Sequence, residues 1–235
     1  MTRQGTLAIQ WLGHGTFVIT TPGGKRVVFD PWLEANPKCP AECKTLDRAD
    51  LILVTHGHAD HASEVVSAAR ATGAPVVAIV ELATWFGKQG LKPVHSINKG
   101  GTLTVSGLDV TMVSAQHSSS LEVDGQVVYL GEPAGYVVRL EDGRALYFAG
   151  DTDVFGDMAL IKRLHAPEIA FLPIGDHYTM GPKGAALAAE LLGVRQVIPM
   201  HYGTFPVLTG TPEALRPLLP AGVELLELQP GETAT

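Results

Sequence analysis

Only two cysteines occur among 235 residues, Cys39 and Cys43 in the segment Cys-Pro-Ala-Glu-Cys. They are too few and too close to organise a disulfide framework, and two thiolates leave a tetrahedral zinc site half filled. They read as reduced loop cysteines, the usual state in a cytosolic chain. No run of about 18 apolar residues is present, so no segment reads as a membrane span. The opening MTRQGTLAIQWLGHG lacks the unbroken apolar core and cleavage pattern of a secretory leader, which makes cytoplasm the expected compartment. There is no basic cluster, and the formal net charge is −7. Such a surface repels phosphate backbones, so nucleic acid is not expected as a partner, and a homo-oligomer is compatible with it. A metal site could still reverse the field inside one cleft. Low-complexity tracts, linkers and internal repeats are missing too, and 46% hydrophobic residues is a globular composition. Residues 1–235 are therefore expected to form one domain.

What the chain does contain is β-structure in two blocks, each followed by αβ units. Residues 6–12, 15–20 and 25–30 read as strands, with Pro22-Gly23-Gly24 as a turn. Residues 31–49, with several prolines, read as a long surface loop. DLILVT at 50–55 is a continuous apolar run suited to a strand buried on both faces. A helix over 61–72, a strand at 74–80 and a helix at 81–89 follow. Residues 101–115 and 126–149 return to strands and hairpins. Beyond Gly150 the pattern gives a helix near 156–165, a strand at 168–174, a helix at 183–192, a strand at 195–200, a helix near 211–219 and a strand at 223–227. Such an order builds an α/β fold, a four-layer αβ/βα sandwich of two mixed β-sheets with helices on the outer faces.

The chemistry concentrates in Thr-His-Gly-His-Ala-Asp-His at 55–61. It sits in a turn between a buried strand and a helix. Alternate residues of an extended segment project to one side, so His56, His58 and Asp60 can converge. His61, at the helix start, points differently and can serve a second ion. Four ionisable groups beside a buried strand cost free energy unless something compensates, and metal coordination does.

The His-x-His-x-Asp-His signature after an apolar strand resembles the metallo-β-lactamase superfamily. Later segments continue the likeness: His117 in SAQHSSS, Asp151 in YFAGDTD and His201 in VIPMHYG each follow a strand. Carried over residue by residue, the resemblance implies one metal on His56, His58 and His117, a second on Asp60, His61 and His201, and Asp151 bridging both. The segments WLGHGTFVI, FDPWL, GEPAGYVV and LPIGDHYTMGP are similar to the small metal-dependent hydrolases of this superfamily related to ascorbate-6-phosphate lactonase. Many members of that group have asparagine where His177 stands. What the resemblance implies is a hydrolase with two divalent metal ions, zinc first, and a bridging hydroxide. An all-nitrogen and oxygen site also accepts manganese, iron or nickel. The substrate expected is a small, anionic ester, lactone or phosphoester.

Around this set, Asp60 is expected to act catalytically as well as to bind metal, with His14 or His177 steadying the leaving group. Asp30, at a strand end, is expected to hold a ligand histidine or the metal-site turn. Asp176 and His177 are read as substrate-lining, and Ser118, Ser119 and Ser120 as donors to a substrate oxygen. His95 and His165 read as surface or packing residues. Rival readings are phosphodiesterase or nuclease chemistry, a redox di-metal protein, and a binding module without catalysis on the same scaffold.

Overall fold

The computed structural model describes residues 5–235; residues 1–4, part of the span read above as leader-free and as one domain, lie outside it. Two seven-stranded mixed sheets carry the fold. The first contains β1 (Ala8–Trp11), β2 (Phe17–Thr20), β3 (Arg26–Phe29), β4 (Leu51–Leu53), β5 (Val76–Ile79), β6 (Val94–Ile97) and, at its edge, β16 (Thr233–Ala234), in the order β16-β1-β2-β3-β4-β5-β6. The second contains β7 (Thr102–Val105), β8 (Leu108–Ser114), β11 (Ala134–Arg139), β12 (Ala145–Phe148), β13 (Ile169–Pro173), β14 (Gln196–Met200) and β15 (Glu224–Leu225), in the order β15-β14-β13-β12-β11-β8-β7. A separate hairpin pairs β9 (Ser120–Val123) with β10 (Gln126–Tyr129).

Each sheet has an antiparallel part and a parallel part. Strands β1 to β3 pair antiparallel and β3 to β6 parallel; β7, β8, β11 and β12 pair antiparallel and β12 to β15 parallel. Parallel neighbours need crossovers, and helices supply most of them: α1 (Ala59–Ala62), α2 (Val65–Thr72) and α3 (Val80–Lys88) in the first half, α4 (Met158–His165), α5 (Pro182–Leu192) and α6 (Pro212–Leu215) in the second. Alanines on the buried side of α5, Ala185, Ala188 and Ala189, let that helix lie close on its sheet. The sandwich expected from the sequence is the one observed.

The sheets meet through aromatic side chains. Phe29 stacks on Phe148 at 4.2 Å between centroids, and Phe17 meets Phe171 edge-on at 5.0 Å. All four are buried, and each contributes roughly 1.5–3 kcal/mol by leaving water. Polar links also cross: the Tyr136 hydroxyl of β11 donates to the carbonyl of Val54 at 2.8 Å, and Ala134 N–H donates to the carbonyl of Thr55 at 3.0 Å. These bonds tie the second sheet to the stretch just ahead of the histidine-rich turn.

Local differences from the sequence reading have physical reasons. The expected helix over 61–72 is two pieces, because Glu64 leaves helical geometry (φ −106°, ψ 4°) and uses its carboxylate elsewhere. Both Glu64 oxygens accept backbone N–H groups, from Leu33, Glu34 and Ala35, and so pin the long loop after β3. Strands β6, β9 and β16 had no clear alternation and were not expected. The 211–219 helix shortens to α6 followed by a 3-10 turn at Arg216–Leu218, as Pro217 cannot donate to an α-helical bond. Among the described residues no helix is long and apolar enough to cross a membrane.

Candidate metal centre

Every loop that carries a candidate ligand leaves the same end of the two sheets. Leu51-Ile52-Leu53 in β4 is wholly buried, and the chain then turns through His56-Gly57-His58 into α1. His117 follows β8, Asp151 follows β12, and His201 follows β14 directly. His14 lies between β1 and β2, and Asp30 directly follows β3. Three of these residues, His14, Asp30 and His201, have positive φ angles of 56°, 44° and 56°. Non-glycine residues adopt that conformation only where surrounding structure holds them, and such strain collects at functional sites.

Asp30 organises the turn. Its Oδ1 accepts the backbone N–H of Thr55 at 2.7 Å, and its Oδ2 accepts the Thr55 hydroxyl at 2.6 Å. The same Oδ2 accepts His61 Nδ1–H at 2.8 Å. With Nδ1 held as the donor to Asp30, His61 turns Nε2 inward, as the atom that would ligate once its own proton leaves. Thr55 Oγ1 stands 3.0 Å from His56 Nδ1 and, having given its proton to Asp30, accepts there too. His56 therefore also faces inward through Nε2 as an acceptor. Gly15 makes room for this packing, since a Cβ on it would come within 2.7 Å of His61 Cε1.

The result is two groups of four side chains, besides a smaller one of Asp30, His56 and His61, in each of which the candidate ligand atoms lie within 4.8 Å of one another. One is His56, His58, His117 and Asp151; the other is His14, Asp60, His61 and His201. Asp151 stands between them. Its Oδ2 is 3.0 Å from His201 Nε2, 3.6 Å from His117 Nε2 and 3.9 Å from His56 Nε2, and its Oδ1 is 3.4 Å from His61 Nε2. All seven residues expected from the sequence to bind metal are thus brought together. His14 joins them, its Nε2 2.9 Å from Asp60 Oδ2.

Hydrogen bonds account for part of the arrangement, His56 Nε2 lying 3.0 Å from His58 Nδ1, but not for all of it. His61 Nε2 and Asp151 Oδ1 are buried, face each other and have no hydrogen-bond partner. Leaving such atoms unpaired costs about 1–3 kcal/mol each, which a divalent cation between imidazole and carboxylate removes. The donor set, imidazole and carboxylate alone, suits zinc, iron, manganese or nickel.

The charges follow the same logic. Burial, with His61 and the other histidines beside it, holds the His56 imidazole far below its ordinary value, so it is neutral and able to ligate. Burial likewise lowers His58 and His117. Burial would push the Asp151 carboxyl up, but His201 and His61 outweigh it and hold the group well below the usual range. At Asp60 burial is again outweighed, by His61 and by the hydrogen bond from His14. His61 goes the other way: three carboxylates, Asp151, Asp60 and Asp30, overcome its burial and raise it well above the ordinary imidazole range. Burial and the nearby His201 push His14 down to about 4.

A cleft of about 360 Å3 opens over the centre, lined by His58, Asp60, His117, Ser118, Asp151, Tyr178 and His201. Its size suits a small ligand. His14 does not line it, being fully buried behind Asp60. His177 does not line it either; its exposed ring packs edge-on against Tyr178 at 4.4 Å, and Tyr178 faces the cleft in its place. Asp176, with φ 66°, accepts the His177 N–H at 2.8 Å and shapes that turn. Ser119 is used structurally, its hydroxyl accepting from Gly57 N–H at 3.0 Å, whereas Ser118 Oγ lies 3.3 Å from His58 Nε2. His95 in β6 and His165 at the end of α4 belong to neither group.

Sequence reasoning missed Tyr178 and Thr204. Thr204 Oγ1 stands 2.9 Å from His14 Nδ1 across 190 residues. A threonine three positions after a ligand histidine carries no pattern that marks it out.

Comparison with known proteins gives the family and supports the fold. The profile of the β-lactamase superfamily domain matches residues 25–202. A metal-dependent hydrolase of the UPF0173 group from Solibacter usitatus is 49% identical over 227 residues, 96% of this chain and 98% of its own. One from Rubrobacter xylanophilus is 50% identical over 232 residues, 97% of this chain and 96% of its own. The solved structure of Igni18, described as a novel metallo hydrolase from Ignicoccus hospitalis, superposes with a TM-score of 0.83 at 33% identity over 97% of both chains. The chain belongs to the β-lactamase superfamily and is one of its metal-dependent hydrolases.

Proposed function

We propose that the centre holds two divalent cations and hydrolyses a small ester, lactone or phosphoester that carries negative charge. The observation that carries this reading is Asp151, whose single carboxylate touches imidazoles of both ligand groups while its Oδ1 and His61 Nε2 stay buried without partners. His56, His58 and His117 would hold one ion, Asp60, His61 and His201 the other, with Asp151 shared. Zinc is the first candidate by resemblance to the family, and the imidazole and carboxylate donors also suit manganese, iron and nickel.

Two such ions supply Lewis acidity and bring the pKa of water down to about 7, so a nucleophile exists at neutral pH. The chain's own residues do the rest. Asp60 faces the cleft with His14 fixing one of its oxygens, and from there it orients the attacking water and takes its proton. Ser118 and Tyr178 line the opening and can donate hydroxyl hydrogens to the substrate's oxygens. His177 packs edge-on behind Tyr178 and would help hold that ring at the opening, rather than meeting the leaving group itself.

No lysine or arginine lines the cleft among the described residues, so a substrate anion would be drawn by the ions themselves. The open groove and basic track of a nuclease are not seen there, and a small molecule is the partner we propose, in the cytoplasm. The test is a screen of lactones, carboxylic esters, phosphomonoesters and phosphodiesters on protein of measured metal content, beside Asp60→Ala. Turnover of one class, with loss of at least about 100-fold in the variant, is expected. Full metal loading with no turnover in any class would refute the reading.

A further inference from the structure

Four side chains, His14, Asp60, His61 and His201, offer ligand atoms within reach of one ion, yet one of the four is differently engaged. Both ring nitrogens of His14 are already used: Nε2 lies 2.9 Å from Asp60 Oδ2, and Nδ1 lies 2.9 Å from Thr204 Oγ1. An ionised carboxylate only accepts, so a lone pair on Nε2 would face another lone pair at hydrogen-bond distance. The proton must sit on Nε2. Nδ1 then accepts, and the Thr204 hydroxyl, which can give a hydrogen, completes the pair. A nitrogen that carries a proton has no lone pair to offer a metal.

The ring has little freedom to turn away. It is fully buried, lies 3.9 Å from the His201 ring, and meets Trp32 at 5.2 Å and Phe205 at 5.6 Å edge-on. The backbone is held as firmly. The His14 carbonyl accepts the Trp11 indole N–H at 3.0 Å and the His201 N–H at 3.1 Å, so it joins the β1–β2 turn of one sheet to the loop after β14 of the other.

We propose that His14 is a positioning residue and not a metal ligand: its Nε2–H fixes the Asp60 carboxylate, and Thr204 fixes the imidazole. The arrangement is a relay of orientation, Thr204 to His14 to Asp60, that reaches the centre from outside the ligand set. Positioning partners of this sort typically carry about 10- to 100-fold in metal affinity.

The inference rests on the reading of Asp60 as a ligand, and the experiment separates the two. Cobalt(II) is titrated into metal-free protein while its visible absorption bands, which report the ligand set, are recorded for wild type, His14→Gln, His14→Leu and Thr204→Val. Circular dichroism confirms folding of each. In wild type two equivalents are expected; fewer would sink the dinuclear reading itself. Glutamine places an N–H close to where Nε2–H stands, so His14→Gln is expected to keep both equivalents and the wild-type bands. His14→Leu should keep the tighter equivalent and weaken the other by about 10- to 100-fold. Thr204→Val, which leaves the ring in place, should weaken the same equivalent by a smaller factor. If His14→Gln loses an equivalent or changes the bands as His14→Leu does, His14 is a ligand and the proposal is wrong. Wild-type binding in His14→Leu or in Thr204→Val overturns it from the other side.

Discussion

Asp30 and His61 form a buried pair in which the carboxylate Oδ2 accepts the imidazole Nδ1–H at 2.8 Å, with neither side chain exposed to solvent. The carboxylate that fixes the ring comes from the end of β3, thirty-one residues earlier in the chain. Fixing Nδ1 as the donor is what points Nε2 toward Asp151. Asp30→Ala should therefore weaken metal binding by about 10- to 100-fold without removing any ligand. Metal retained after dialysis against a weak chelator, measured by mass spectrometry, checks this. Wild-type retention in a folded variant would show that the pair serves stability alone.

Proton release on loading is a second expectation. Burial opposes a charged His61, but Asp151, Asp60 and Asp30 raise it well above the ordinary value, so the metal-free protein holds its proton at pH 7. Coordination through Nε2 requires that proton to leave. Metal binding should then release about one proton from this group, and affinity should rise with pH by up to about tenfold per unit below its raised value. Calorimetric titrations in two buffers of different ionisation enthalpy report the number released. Net uptake of protons would contradict the assignment.

A steric change should do what a ligand mutation does. A Cβ on Gly15 would lie 2.7 Å from His61 Cε1, so Gly15→Ala must displace the imidazole or the β1–β2 turn. Loss of the metal held by His61, with the other retained, is the expected outcome of a metal count on the purified variant. Two metals at unchanged affinity would mean that the ring can move without cost.

Metal removal should lower stability as a ligand does. At a free concentration of about 100 times Kd, binding stabilises the folded state by about 2.7 kcal/mol. For a chain of this size that corresponds to about 5–11 °C in Tm. Thermal scans with and without chelator measure the shift. By contrast, Phe29→Ala should cost about 3–5 kcal/mol in either state, because it empties the stack on Phe148 rather than the centre.

Much of this was legible along the chain. The unbroken apolar run of β4 marked a strand buried on both faces, and His56, His58, Asp60 and His61 followed it too densely to be bystanders. His117, Asp151 and His201 were read from the resemblance to the metallo-β-lactamase superfamily, and the structure brings all three to the edge where strands end, beside the 55–61 turn. Asp30, which follows a strand end, was expected beside a histidine of this set, and it accepts His61 Nδ1–H. The rest depended on contacts that no local pattern encodes. Thr204 reaches His14 only through the crossing of β14 with the β1–β2 turn, and Tyr178 rather than His177 faces the cleft because positive φ angles at Asp176 and His177 turn the backbone there. Strand β9 escaped because it pairs only with β10, in a hairpin without a buried face to impose alternation.

The central claim is that one carboxylate, Asp151, joins two metal-binding groups. Crystals of metal-loaded protein, measured on both sides of the metal's absorption edge, test it directly. Two anomalous peaks are expected, one among His56, His58 and His117, the other among Asp60, His61 and His201, each within bonding distance of Asp151. A single peak, or a second one remote from Asp151, would contradict the account.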